Sequence, residues 1–409
     1  MKNKFIKNLS GLLLSSLLSQ ILLLLSTPVL TRLFSPEELG IYASLSSILS
    51  ILAVGACLRY EFSISASEKE REINSLVTLS CIISIIISFI AIIIFAIFNI
   101  PEKIIIGNHI YYIPLGIITY GFYRAMSFNS IRKRQYREFS ITKIAQTVTM
   151  ISIQIIGGIA SLGASSLILG QILGQSLGVL FLRKKSQYRL IIRKNEFRKI
   201  KLLAKKYYKF PAYDFPASLI NTVSNELPQL FIMSAYGLKS AGFYLIASKI
   251  SGAPITLLNQ TVSSILQGYL KDTPALSFLK IKKTFYYLTL ISILFATVTY
   301  WVGIPIITFI FGEEWYESGK YLICLIPHLS GQIIYSSLSI YLSMYEHQKS
   351  NLFIQSTSIT LRFIALLIGY LLGGIYLSIL LFSLTSFSLY LMSTAYILRL
   401  SFMQQRGLE

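Results

Sequence analysis

The chain has 409 residues, of which 54% are hydrophobic and only 13% charged, and its mean hydropathy is +0.64. Soluble domains carry about 25% charged residues, so this composition excludes a water-soluble globular protein and makes a bilayer the solvent. The net charge of +20 suggests nucleic acid, but it is distributed as membrane topology requires and no nucleic-acid partner is expected.

A helix crosses a hydrocarbon layer of ~30 Å with roughly 20 apolar residues. Lys2, Lys4 and Lys7 precede the first such stretch, Gly11 to Leu30, which has no small-residue cleavage site before Thr31-Arg32 and is read as an uncleaved first helix. Spans follow at 38–58, 75–99, 109–128, 141–161 and 164–182, then at 215–235, 239–268, 284–311, 320–343, 353–373 and 375–398, which with 10–31 makes twelve. A β-barrel would alternate polarity over ~10-residue segments, whereas Ile82 to Phe98 is apolar throughout but for Ser84 and Ser88. The expected fold class is therefore an all-α integral membrane protein.

Between the sixth and seventh spans lies the longest polar segment, Arg183 to Asp214, which divides the chain into an N-terminal six-helix lobe (1–182), a basic connecting segment (183–214) and a C-terminal six-helix lobe (215–409). Within that segment Phe197, Ile200, Leu203, Ala204 and Tyr207 recur at helical spacing among lysines. Two readings stand: an amphipathic helix at the membrane surface with its basic face on anionic headgroups, and a solvated linker. With the N-terminus inside, Arg32, Lys103, Lys239 and Lys320 fall outside and Lys249 and Arg362 within spans, while the rest of the 37 Lys and Arg residues are cytoplasmic. This asymmetry places both termini in the cytoplasm.

The two halves are related in sequence. Phe34-Ser-Pro-Glu-Glu-Leu-Gly-Ile-Tyr-Ala-Ser-Leu-Ser-Ser-Ile aligns without gaps on Tyr236-Gly-Leu-Lys-Ser-Ala-Gly-Phe-Tyr-Leu-Ile-Ala-Ser-Lys-Ile, matching Gly40 with Gly242, Tyr42 with Tyr244, Ser46 with Ser248 and Ile48 with Ile250. Because each half has an even number of spans, the repeat is parallel and its pseudo-twofold axis runs along the membrane normal.

No phosphate-binding glycine loop, His-Glu-x-x-His, Asp-x-Asp or Gly-x-Ser-x-Gly occurs, so no catalytic residue is assigned and no enzyme is expected. The three cysteines (Cys57, Cys81, Cys324) and three histidines (His109, His328, His347) are scattered, so neither a metal nor another cofactor is expected. What remains are charges in or near apolar helices, each costing roughly 2.5–3.5 kcal/mol at the bilayer centre unless it meets water or a partner. Lys249 and Arg362 fall about ten residues inside the outer ends of their spans, ~15 Å deep, while Arg124 and Arg59 lie nearer the cytoplasmic ends and are within reach of snorkelling. Glu226 falls at the depth of Lys249: the two either pair, or the cations Lys249, Arg362, Arg124 and Arg59 line a basic cavity that binds a diphosphate. Glu226 and Glu61 are the candidates for ion coupling. Pro28, Pro228, Pro254 and Pro327 are expected to kink their helices.

Several stretches resemble one family as a set. Thr27-Pro-Val-Leu-Thr-Arg-Leu-Phe-Ser-Pro-Glu-Glu-Leu-Gly-Ile-Tyr-Ala with Leu58-Arg-Tyr-Glu-Phe resembles the start of bacterial O-antigen and capsule flippases. Arg132-Lys-Arg-Gln-Tyr, Phe210-Pro-Ala-Tyr-Asp-Phe-Pro-Ala, Gly242-Phe-Tyr, Ala247-Ser-Lys-Ile and Phe311-Gly-Glu-Glu-Trp continue the resemblance to the polysaccharide-exporter branch of the MATE-like MOP superfamily. The resemblance implies a multi-pass protein of the bacterial inner membrane with two pseudo-symmetric lobes alternating between inward-open and outward-open states. Its substrate would be an undecaprenyl-diphosphate-linked oligosaccharide for lipopolysaccharide O-antigen, capsule or a related polysaccharide. It further implies contact with membrane lipids and association with polysaccharide polymerase and chain-length machinery. Lys249 stands where relatives more often have Arg, which keeps the charge and loses the two-pronged grip. The competing reading is a cation-coupled small-molecule or drug exporter of the same superfamily; it uses a buried acid in the N-terminal lobe, and spans 1 and 3 to 6 contain no Asp or Glu.

Overall fold

The structure is a computed structural model that describes residues 2–67, 69–99, 105–186, 194–272, 277–345, 348–405 and 407. Lys103, His347 and residues 187–193 of the connecting segment lie outside the described residues. The described residues are almost all helical, and the elements run α1 (Lys2–Leu33), α2 (Pro36–Gly55), α3 (Glu61–Ala66), α4 (Glu70–Ile97), α5 (Tyr112–Arg132), α6 (Tyr136–Ile159) and α7 (Ala164–Ser186). The connecting segment contributes α8 (Lys194–Lys206), and α9 (Phe215–Asp272), α10 (Ser277–Phe311), α11 (Tyr316–Leu338), α12 (Ile340–Met344) and α13 (Gln348–Gln405) complete the chain.

Nine helical stretches among the described residues are long and apolar enough to cross a membrane. Two of them are double, because α9 breaks at Gly237 (φ 86°) and α13 at Gly374 (φ 81°), left-handed positions that glycine adopts without a Cβ penalty. With α5, whose tyrosines, Arg124 and Asn129 dilute its hydropathy, the crossings number the expected twelve. The prolines Pro28 and Pro327 lie inside helices that continue through them.

Two compact units form, Met1–Gly242 and Phe243–Glu409. In the first, Leu45, Leu49, Ile113, Ile117, Ile168 and Ile172 make one apolar core, and Met233 joins it. The first arm of α9 thus packs with the preceding helices although it follows the connecting segment. The start of α2 is fixed by a reciprocal cap: the Glu38 amide donates to Ser35 Oγ at 3.3 Å and the Ser35 amide to Glu38 Oε2 at 2.8 Å, with Pro36 at the first helical position. Just beyond it, Gly40 and Gly242 let two backbones touch. A Cβ on Gly40 would sit 1.9 Å from the Leu238 carbonyl oxygen, and one on Gly242 would sit 1.9 Å from that of Pro36. The second unit buries Trp315 edge-on to Phe243, with ring centroids 5.8 Å apart.

The helical spacing in the connecting segment is realised as α8, and its apolar stripe meets protein. Its apolar face, Ile200 and Leu203, is buried against Tyr60, Ile64, Ile73 and Leu76 of the first unit, leaving Phe197 exposed. Polar contacts pin it down: Ser75 Oγ donates to Glu196 at 2.9 Å, Lys199 to the Arg71 carbonyl at 2.7 Å and Lys206 to Glu72 at 2.8 Å. An amphipathic helix buries its stripe on whatever apolar surface is nearest, and here α3 and α4 supply it.

Candidate functional site

At the basic side of the first unit four charges gather. After α2 the backbone turns through two consecutive left-handed residues, Leu58 (φ 46°) and Arg59 (φ 64°), which is strained for side chains of this size. The turn aims Arg59 at Asp214, with Nε 2.7 Å from Oδ2, and lays its guanidinium 4.3 Å from the centre of the Phe62 ring. At the first position of α3, Glu61 is 1% exposed and its Oε1 lies 3.3 Å from Nε of Arg124 on α5. Burial holds the Glu61 carboxyl above the usual carboxylate range, with Arg124 pulling the other way. Arg59 and Arg124 are therefore each held by a carboxylate. Each keeps solvent access, 14% and 29% of its side chain respectively.

In the same unit Glu226 lies beside Ser47 of α2 and within electrostatic reach of Tyr120 on α5. Beside them Ser46 Oγ donates to Gln171 Oε1 at 3.0 Å, and Gln171 Nε2 donates to Tyr120 Oη at 2.9 Å. Uncharged hydroxyl and amide groups of α2, α5 and α7 are thus linked to one another near this carboxylate. Such a set hydrates or exchanges a proton or a small cation readily.

The second unit holds the other two cations. Lys249, on the second arm of α9, is of intermediate exposure. Arg362 of α13 is 4% exposed and sits in an aromatic box, its guanidinium carbon 5.1 Å from the Tyr390 ring centre and 5.9 Å from that of Phe382. His328 completes the box, 5.2 Å from Phe382 and 5.6 Å from Tyr390. A groove of about 530 Å³ on α13, lined by Phe353, Ile354, Thr357, Leu389, Met392 and Tyr396 among others, contains none of these charges.

Four of the six candidate residues lie in the first unit, where Arg59 pairs with Asp214, Arg124 with Glu61 and Glu226 lies beside Ser47, while Lys249 and Arg362 lie in the second. Sequence reasoning missed Asp214, Tyr120 and Ser47. Asp214 stands 155 residues from its partner and no local pattern marks the pair, although both lie in stretches that carried the family resemblance. The cysteines are buried or partly buried free thiols, as small hydrophobes are, and among the described residues no group of three His, Cys, Asp or Glu could hold a metal ion.

A family model described as polysaccharide biosynthesis protein matches residues 29–320. No curated protein matches the chain. Among solved structures, a multidrug resistance MATE family transporter of the MOP superfamily in its inward-facing conformation is 13% identical, with 95% of this chain and 96% of that one covered and a TM-score of 0.71. The lipid II flippase MurJ in an inward closed conformation is 14% identical over 94% of this chain and 86% of its own, with a TM-score of 0.73. A MOP superfamily transporter from Pyrococcus furiosus is 13% identical over 97% and 96% of the two chains, with a TM-score of 0.62. At these identities the likeness is one of fold, and the fold is that of the MATE-like MOP transporters.

Proposed function

Because this chain belongs to the polysaccharide biosynthesis protein family and has the fold of MOP transporters, we propose that it is a flippase for an undecaprenyl-diphosphate-linked oligosaccharide. It carries the O-antigen, capsule or related repeat unit from the cytoplasmic to the outer leaflet of the bacterial inner membrane by alternating access. The observation that carries the reading is the family match, joined to the cations Arg124, Lys249 and Arg362 on membrane helices and Arg59 in the turn after α2.

Arg59, Arg124 and Lys249 keep solvent access and serve as direct phosphate ligands. Arg362, enclosed by its aromatic box, adds positive potential from within the second unit, where low dielectric lets a buried charge act over distance. Glu226, among Ser47, Tyr120 and Gln171, is the residue through which a proton or cation gradient would drive the cycle, with Glu61 second. The lobes divide at the basic segment 183–214, and polymerase and chain-length proteins receive the product.

Liposomes reconstituted with the purified protein and the lipid-linked repeat unit test this directly: translocation is expected in wild type and its loss in the Lys249→Gln/Arg362→Gln double variant. Full translocation by the double variant would remove those cations from the mechanism. Absence of translocation by wild type, with no cytoplasmic-leaflet substrate accumulating in a deletion strain, would sink the flippase reading.

A further inference from the structure

The two arginines of the first unit are held differently. Arg124 faces a carboxylate that is 1% exposed, so no incoming anion can displace Glu61 without opening the core. Arg59 faces Asp214, which is 44% exposed, through a single N–H edge. Among the described residues Arg59 makes no other hydrogen bond, leaving its terminal nitrogens for another acceptor. The Asp214 turn is also tethered by stacking: Phe210, four residues earlier, lies parallel to Phe62 at 6.4 Å, and Phe62 carries the Arg59 guanidinium. Residues 210–214 form one irregular turn of helix that leads straight into α9. Arg59 projects from the left-handed Leu58-Arg59 backbone, and strain of that kind persists only where the surroundings hold it.

We propose that the Arg59–Asp214 pair is a releasable latch: the diphosphate of the incoming carrier lipid takes the place of Asp214 on Arg59 and so frees the 210–214 turn at the root of α9. The proposal rests on the flippase reading above. A diphosphate offers more charge than a carboxylate and oxygens spaced for the two-pronged guanidinium grip, so exchange is downhill once the phosphate is within reach. Arg124, anchored by Glu61, stays in position to take a second oxygen. The four charges of the resting cluster sum to zero, so the site is neutral until Asp214 departs, and the cations are masked from stray anions when no carrier is present.

The full-length protein in nanodiscs, with farnesyl diphosphate as probe and farnesol as its uncharged control, tests the latch. Asp214→Asn removes the competing carboxylate, and the diphosphate is expected to bind about tenfold tighter, the scale of one charge-assisted contact. Arg59→Gln in the Asp214→Asn background abolishes that gain, and farnesol binding stays level throughout. A spin label on Tyr213→Cys, an exposed position in the turn, reads the latch without cutting it: its mobility should rise when farnesyl diphosphate is added. Unchanged or weaker binding by a folded Asp214→Asn protein, or a label that does not respond, overturns the latch. If the probe still binds wild type and Lys249→Gln weakens it, the flippase reading survives that failure. If farnesyl diphosphate does not bind wild type and no translocation is seen in liposomes, both fall together.

Discussion

Arg124 and Glu61 illustrate how a charge is tolerated at the edge of a membrane. The carboxylate is enclosed and its proton is held more tightly than in an unfolded chain, where such a group titrates near 4.5. A raised carboxyl value favours the fold most below that pH, and the advantage is lost as pH rises through the folded value. Removing the cation enlarges the cost of the charged form. Arg124→Gln is therefore expected to lower stability by about 2 kcal/mol near neutrality, less than a fully enclosed pair because Arg124 is partly solvated. The deficit should shrink on acidification toward about pH 5. Thermal unfolding in detergent at the two pH values measures this, and the Glu61→Gln/Arg124→Gln double variant should recover most of the loss. The residue types were legible beforehand: a charge near an apolar span calls for a partner. Which partner was not, because Arg59 and Asp214 are brought together only by a fold that spans 155 residues.

At the scale of elements, the apolar runs located the crossings, with α5 the least apolar of them, since burial in lipid demands long apolar runs whatever the tertiary packing. The glycine-broken hairpins at Gly237 and Gly374 coincide with the expected turns between spans. The destination of α8 was less legible. Its stripe predicts that one face is buried but cannot say on what, and Tyr60, Ile64, Ile73 and Leu76 supply the apolar bed. Replacing Ile200 and Leu203 by Glu removes side chains worth roughly 1.5–3 kcal/mol of burial each and should release the helix. Limited proteolysis of inside-out vesicles would then cut within 194–206, where the native protein resists. The glycine crossing gives a sharper contrast. Gly40→Ala and Gly242→Ala each place a methyl group against a carbonyl and should cost ~1–3 kcal/mol and impair transport. Gly252→Ala, with nothing within 4 Å, should be neutral or stabilise α9 by up to about 1 kcal/mol.

For the whole molecule, charge asymmetry makes a topological prediction that single-cysteine labelling checks. In a background lacking Cys57, Cys81 and Cys324, a cysteine at Lys201 should react with an impermeant maleimide only from the cytoplasmic side and one at Lys239 only from outside; both positions are exposed. The sequence repeat relating the halves was visible as four identities, Gly40 with Gly242 among them, but nothing in that alignment says that the two matched glycines touch. Their contact has a bearing on descent. Each glycine is met by main chain, which no neighbouring substitution can shrink, so compensation from a second site is closed off and neither position can acquire a side chain while the crossing stands. Drift can erase the kinship of two duplicated halves almost anywhere else along their length. Here geometry forbids it at Gly40 and Gly242, whose main chains lie in contact within the first unit.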